Sequence, residues 1–283
     1  VSMLALALAS GLYWTQVGSA QALVCPVSLL SLCLEELSPE VRRQLPDSES
    51  KILGAMGLRS AMVMPTSDAE CAGLVLVNDN GDRTSLSVNL GGEGYSLPLT
   101  RQHELTLWHE LGHLQNLALR GTVLPLELRP YQHEWLADIY LVWRSVHETG
   151  SLDLAWQQYH RRNLAVLADV TNMSHWSPPV LRQLLEKYDA GQLMGFGHYA
   201  DFLKASYPLL RQYDADALGE FSSLIQRTFG PGAVQDLPRY IFWRKARLGY
   251  YLQPTLRALM GPNAADAWLT QAAMQPLSEQ GAP

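Results

Sequence analysis

The sequence predicts an α+β protein that is predominantly α-helical, on three observations. Period-two apolar alternation is confined to a short region around residues 73–90. Helix-period apolar residues, punctuated by Pro and Gly, run through nearly everything after residue 100. Hydrophobic residues make up 47% of the chain, ample for a core. At 283 residues this is one large domain or two small ones. The division is an N-terminal segment over residues 1–22, a core with its β-element over residues 23–150, and a helical part packed on it over residues 151–283. A net charge of −6, with no basic run, excludes a nucleic-acid partner, because phosphate binding needs a basic surface.

Taken in order, the chain opens with 34 uncharged residues before Glu35. Residues 3–14 (MLALALASGLYW) have the length of a signal-peptide apolar region, and residues 18–22 (GSAQA) offer an A-x-A cleavage site after Ala22. A basic start is missing. Export to the periplasm or secretion is therefore expected, the alternatives being an uncleaved membrane anchor and a buried N-terminal helix. Polar residues interrupt the run before the roughly 20 residues a span requires. In an oxidising compartment two of Cys25, Cys33 and Cys71 could pair, tying the N-terminal segment to the strand near Cys71. Three small buried hydrophobes are the other reading.

Residues 38–60 mix charge and helix formers around Pro46 and predict one or two short helices. Residues 73–78 (GLVLVN) are β-rich, residues 79–82 (DNGD) have turn chemistry, and Leu86, Val88 and Leu90 alternate along residues 83–90, so a hairpin is predicted. Residues 91–94 (GGEG) lack the Gly-Lys-Ser/Thr of a phosphate loop and read as a flexible loop. Thr100 is a candidate cap for a helix running to about Arg120 with Gly121 as its stop, and Leu107, Leu111, Leu114 and Ala118 form its buried stripe. A second helix starts near Pro130 and ends before Gly150. Helices are predicted over residues 151–168, 178–189, 198–206, 209–229, 234–259 and 264–273. Their aromatics, such as Trp156, Trp243, Tyr250 and Tyr251, read as core.

The first of these helices carries His109-Glu110-Leu111-Gly112-His113. Residues four apart lie about 40° around the axis and about 6 Å along it, so both imidazoles can reach one metal ion, and Glu110 lies on the same side without being a ligand. A histidine pair on a helix is also compatible with a solvated face. What singles this one out is a second cluster, His133-Glu134-Trp135-Leu136-Ala137-Asp138. A catalytic zinc takes three protein ligands and keeps a place for water, so the motif alone is one ligand short. Glu134, 21 residues after His113, supplies an oxygen. Asp138, one turn on, is placed to accept the free N–H of a ligating histidine. His133 competes with Glu134, but one residue of helix is a rotation of about 100°, and only one of the two can face the metal. Ala137 leaves room between Glu134 and Asp138. Gly112, unfavourable inside a helix, suggests close approach of the second helix.

H-E-x-x-H followed on a later helix by E-x-x-x-D resembles the gluzincin branch of zinc metallopeptidases, the thermolysin-like and aminopeptidase-like enzymes, over roughly residues 74–141. A metzincin would need glycine at Asn116 and histidine at Leu119, and the inverted H-x-x-E-H is absent. The resemblance implies a zincin-like core, zinc held by His109, His113 and Glu134, Glu110 as general base, Asp138 as support, and a peptide or protein substrate. It also makes residues 83–90 a candidate edge strand for an extended peptide, a plain hairpin being the alternative. An oxyanion donor besides the metal is required, and Tyr131, His175, His198 and Tyr199 are the candidates. Membrane association would run through the N-terminal segment. A non-catalytic metal-binding or peptide-sensing protein on the same scaffold is the competing reading.

Overall fold

Two apolar runs, β2 (Ala20–Pro26) and β4 (Cys71–Val77), lie side by side as the parallel centre of a four-stranded sheet. Buried on both faces, they read as near-continuous hydrophobic stretches and not as alternating ones. β1 (Tyr13–Val17) pairs antiparallel with β2, and β3 (Ala61–Pro65) pairs antiparallel with β4, giving the order β1-β2-β4-β3. The computed structural model describes residues 11–79, 81, 83–230 and 243–276. The fold is α+β, and 60% of the described residues are helical, as the order of elements predicts.

The chain divides into two compact units. The first holds β1 to β4, the helix α4 (Gln102–Ala118) and the middle of the helix α5 (Pro130–Thr149). Three short helices precede α4: α1 (Leu30–Glu36), α2 (Pro39–Arg42) and α3 (Glu49–Met56). Ser38 and Ser48 cap the latter two by accepting from the amides of Val41 and Lys51. Leu23, Cys25, Leu74 and Leu76 of the sheet pack with Leu30, Val41, Ile52 and Met56 in one buried cluster. α4 lies against the sheet as well. A Cβ on Gly73 would meet Leu114 at 3.2 Å and the Met64 carbonyl oxygen at 2.6 Å, so only glycine fits between β3 and α4 there.

The second unit holds β5 (Ser85–Leu90), β6 (Glu93–Pro98), the first turn of α5 and the chain from residue 145 onward. Its helices are α6 (Asp153–Ala168), α7 (Pro178–Lys187), α8 (Ala190–Met194), α9 (Tyr199–Ser206), α10 (Ala215–Phe229), α11 (Arg244–Met260) and α12 (Pro262–Gln271). Val88, Leu90 and Leu97 of the hairpin join Leu164, Trp176, Phe221, Leu252 and Leu256 in its core. Pro254 inside α11 has no N–H for the carbonyl of Tyr250. The Arg182 guanidinium donates to that carbonyl instead, at 3.1 Å.

Several expectations are corrected. The hairpin is not formed by residues 73–78 with 83–90: β4 pairs with β2 and β3, and β5 pairs with β6. The turn is Gly91-Gly92, with φ of +64° and +89°, the pair of positive values a tight two-residue hairpin requires, so residues 91–94 are a turn and a strand start. Thr100 does not cap α4. Its amide and hydroxyl donate to Gln157 Oε1 at 3.0 and 3.1 Å, and the helix begins after Arg101, which takes a left-handed φ of +50°. Ala118 is exposed, whereas Leu105 is fully buried and belongs to the stripe. Trp243 is 58% exposed and is no core residue, while Tyr251 is buried. The helix predicted from residue 209 starts at Ala215. Of the one predicted over residues 234–259, residues 234–242 lie outside the described residues.

Residues 13–17 and 20–22, assigned by the sequence to a removable segment, are paired strand residues here, and Ala22 is fully buried. Residues 1–10 lie outside the described residues. Among the described residues no helix is long and apolar enough to cross a membrane. Cys25 bonds to Cys33, joining β2 to α1, and Cys71 is a buried free thiol, so the pairing does not involve the strand near Cys71.

Candidate metal centre

The site is built where α4 and α5 cross. Gly112 of α4 faces Ala137 of α5 so closely that a Cβ on the glycine would stand 2.7 Å from the Ala137 carbonyl oxygen and 2.9 Å from its Cα. Interhelical distance is set by the side chains at the crossing, and here one of them is a hydrogen atom and the other a methyl group. This is the close approach the glycine suggests.

The crossing sets His109 beside Asp138. Both are buried, and Nδ1 of His109 lies 2.7 Å from Oδ1 of Asp138. A carboxylate accepts at that distance, so Nδ1 carries the proton and Nε2 is the nitrogen with a lone pair to offer. His113, one turn on, is half-buried, its ring centroid 4.8 Å from that of His109 with the planes 82° apart.

Glu134 stands one turn before Asp138 on the continuous helix α5, so its place follows from the residues that pack at the crossing. One ligand atom each from His109, His113 and Glu134 lie within 4.8 Å of one another. His133 is not part of this group. Two imidazole nitrogens and one carboxylate oxygen, with the far nitrogen of one imidazole held by a buried carboxylate, suit a borderline-soft divalent cation. Glu110 is half-buried and follows His109 directly on α4.

The four candidate donors fall in different places. Tyr131 donates its hydroxyl to the Trp176 carbonyl at 2.7 Å, which commits that proton. His198 is exposed at the start of α9, and Tyr199 is buried in that helix. His175 ends a short 3-10 segment, Val170–His175, and its Nε2 lies 3.3 Å from Oε2 of Glu134.

Sequence reasoning passed over Arg83, Arg161 and Arg162, which line a cavity together with His175. The adjacent pair Arg161-Arg162 was the available signal, but on a helix two neighbours are about 100° apart and need not act together. No family model, no curated protein and no solved structure matches this chain.

Proposed function

We propose that the protein is a zinc-dependent peptide hydrolase. The observation that carries the reading is the convergence of ligand atoms from His109, His113 and Glu134, with Asp138 on the far nitrogen of His109. A zinc ion held by these three side chains would polarise a substrate carbonyl and make water acidic enough to attack near neutral pH.

The rest falls to the chain's own residues. Asp138 holds His109 in the tautomer that presents Nε2. Glu110, beside the ligands and not one of them, takes the proton of the attacking water and delivers it to the leaving amine. His175, touching Glu134, orients that carboxylate and is the donor candidate carried forward for the developing oxyanion. The Cys25–Cys33 bond supports an oxidising compartment, hence export, for a chain that keeps β1.

The test compares wild type with Glu110→Gln by elemental analysis and by cleavage of a peptide library. Stoichiometric zinc is expected in both, with cleavage lower in the variant by about 10²–10⁴-fold. Zinc in both with no cleavage by wild type would replace this reading with a metal-dependent peptide sensor. Absence of zinc would remove the metal centre.

A further inference from the structure

Outside the metal group, the first unit contains a cavity of about 440 Å³ between its sheet and the start of α4. The register pairs Tyr13↔Val24 and Pro26↔Val77 stand at its wall, which sets it at the carboxyl ends of the parallel strands β2 and β4. Val24, Val77 and Leu107 are buried and give the wall an apolar surface. Tyr13, Ser28 and Asp79 add side-chain oxygens. Among the described residues these three side chains make no hydrogen bond and no ion pair. Burial pushes the Tyr13 hydroxyl up to about 12, with Arg144 opposing and Glu104 reinforcing, so the phenol is neutral near pH 7. The charge therefore comes from Asp79, which is exposed and is the one carboxylate among the described lining residues. His103 lines the cavity too, but its side chain is already engaged.

One helix carries both this wall and the proposed general base. Leu107 and Glu110 are three residues apart, neighbours on one face of α4, and His103 lies two turns before Glu110 on that face, about 10 Å along the axis. An extended peptide advances about 3.3 Å per residue, so a residue within three positions of the scissile bond covers that distance. We infer that the cavity receives a basic side chain, Lys or Arg, of the peptide substrate. The inference rests on the peptidase reading and names a substrate class for it. Oxygen acceptors without partners suit a head group that only donates, as ammonium and guanidinium do. The apolar wall suits the methylene stem behind that head. A carboxylate head would instead meet Asp79 with like charge. The net charge of −6 draws basic peptides towards the molecule as a whole.

The test uses peptides of one sequence in which Lys, Arg or norleucine stands at each position in turn. Norleucine keeps the aliphatic stem and drops the charge. Cleavage, as kcat/KM, is measured for the zinc-loaded wild type and for Asp79→Asn, and binding by calorimetry for Glu110→Gln with and without the Asp79 change. Circular dichroism checks the fold, and Asp79→Ser replaces the Asn variant if that does not fold. Wild type is expected to favour a basic form over norleucine at least tenfold at one position near the cleaved bond. The better of Lys and Arg there names the head group, and the ratio to norleucine should fall towards one in the Asp79 variant. Equal cleavage of basic and norleucine forms by wild type overturns the subsite and leaves the peptidase standing, as does a preference that survives the Asp79 change. If nothing is cleaved, yet Glu110→Gln binds basic forms more tightly and loses that preference with Asp79, the subsite stands and the peptidase reading falls. No cleavage, with binding that ignores the charge or a preference that survives the Asp79 change, overturns both.

Discussion

At His109 one ring nitrogen is committed before any cation arrives. Nδ1 lies 2.7 Å from a carboxylate with no exposure to solvent, and His109 is itself buried, so the tautomer is set by the fold. Asp138→Asn keeps the volume and removes the charge. The amide oxygen still accepts, but more weakly, and the amide group can turn to present its NH₂ instead. Metal affinity is expected to drop about 10–100-fold, measured by competition with a chromophoric chelator, while the melting temperature of the metal-free protein changes little by comparison. An unchanged affinity would mean that Asp138 does not tune His109. Spacing alone placed Asp138 one helical turn beyond Glu134 and within reach of a ligating histidine, but it did not say which of His109 and His113 that would be. That His175, of the four candidate donors, would be the one beside Glu134 was not legible, because it depends on how a 3-10 segment over 40 residues downstream folds back to Glu134.

Among elements, the two helices of the site were the easiest to read. Pro130 opens α5 where its missing N–H costs nothing, and Gly150 closes it with a φ of +70°, its amide donating to the Val146 carbonyl at 2.7 Å. Strand pairing was harder, for a traceable reason. The leader reading takes in Ala20–Ala22, which leaves only residues 23–26 of β2 to read as a strand beside β4, and the turn residues at 79–82 make β5 look like the partner of β4. The positive-φ pair at Gly91-Gly92 was present in the sequence all along, but two glycines followed by Glu-Gly suit a loop equally well. The α4–α5 crossing gives the sharpest expectation at this scale. In Gly112→Ala the new methyl would face backbone atoms of Ala137, which cannot rotate away as a side chain can. The helices must separate, at a cost of about 1–3 kcal/mol, and His109 withdraws from Asp138 as they do. Denaturant unfolding should show the lost stability, and zinc affinity should fall in the same variant. Full stability would mean that the crossing tolerates a side chain.

The whole molecule turns on its first described strands. Residues 1–22 have the apolar length and the A-x-A ending of a cleavable leader, and composition alone cannot distinguish a leader from strands buried in a sheet, since both are uncharged and hydrophobic. Pairing makes the difference. β1 matches β2 residue for residue from Tyr13↔Val24 to Val17↔Ala20, and β2 is an inner strand lying parallel to β4. Removal of residues 1–22 would delete β1 and the first three residues of β2, turn an inner strand into an edge, and expose one side of an otherwise buried ladder. A chain starting at Leu23 is therefore expected to be insoluble or unfolded when produced under conditions that yield folded full-length protein, whereas one starting at Gly11 should fold. Circular dichroism and size-exclusion chromatography of the two truncations decide this. A folded product starting at Leu23 would show that β1 is dispensable and would restore Ala22 as a workable cleavage point. Failure of that chain alone would rule out Ala22 as the processing point of an exported form.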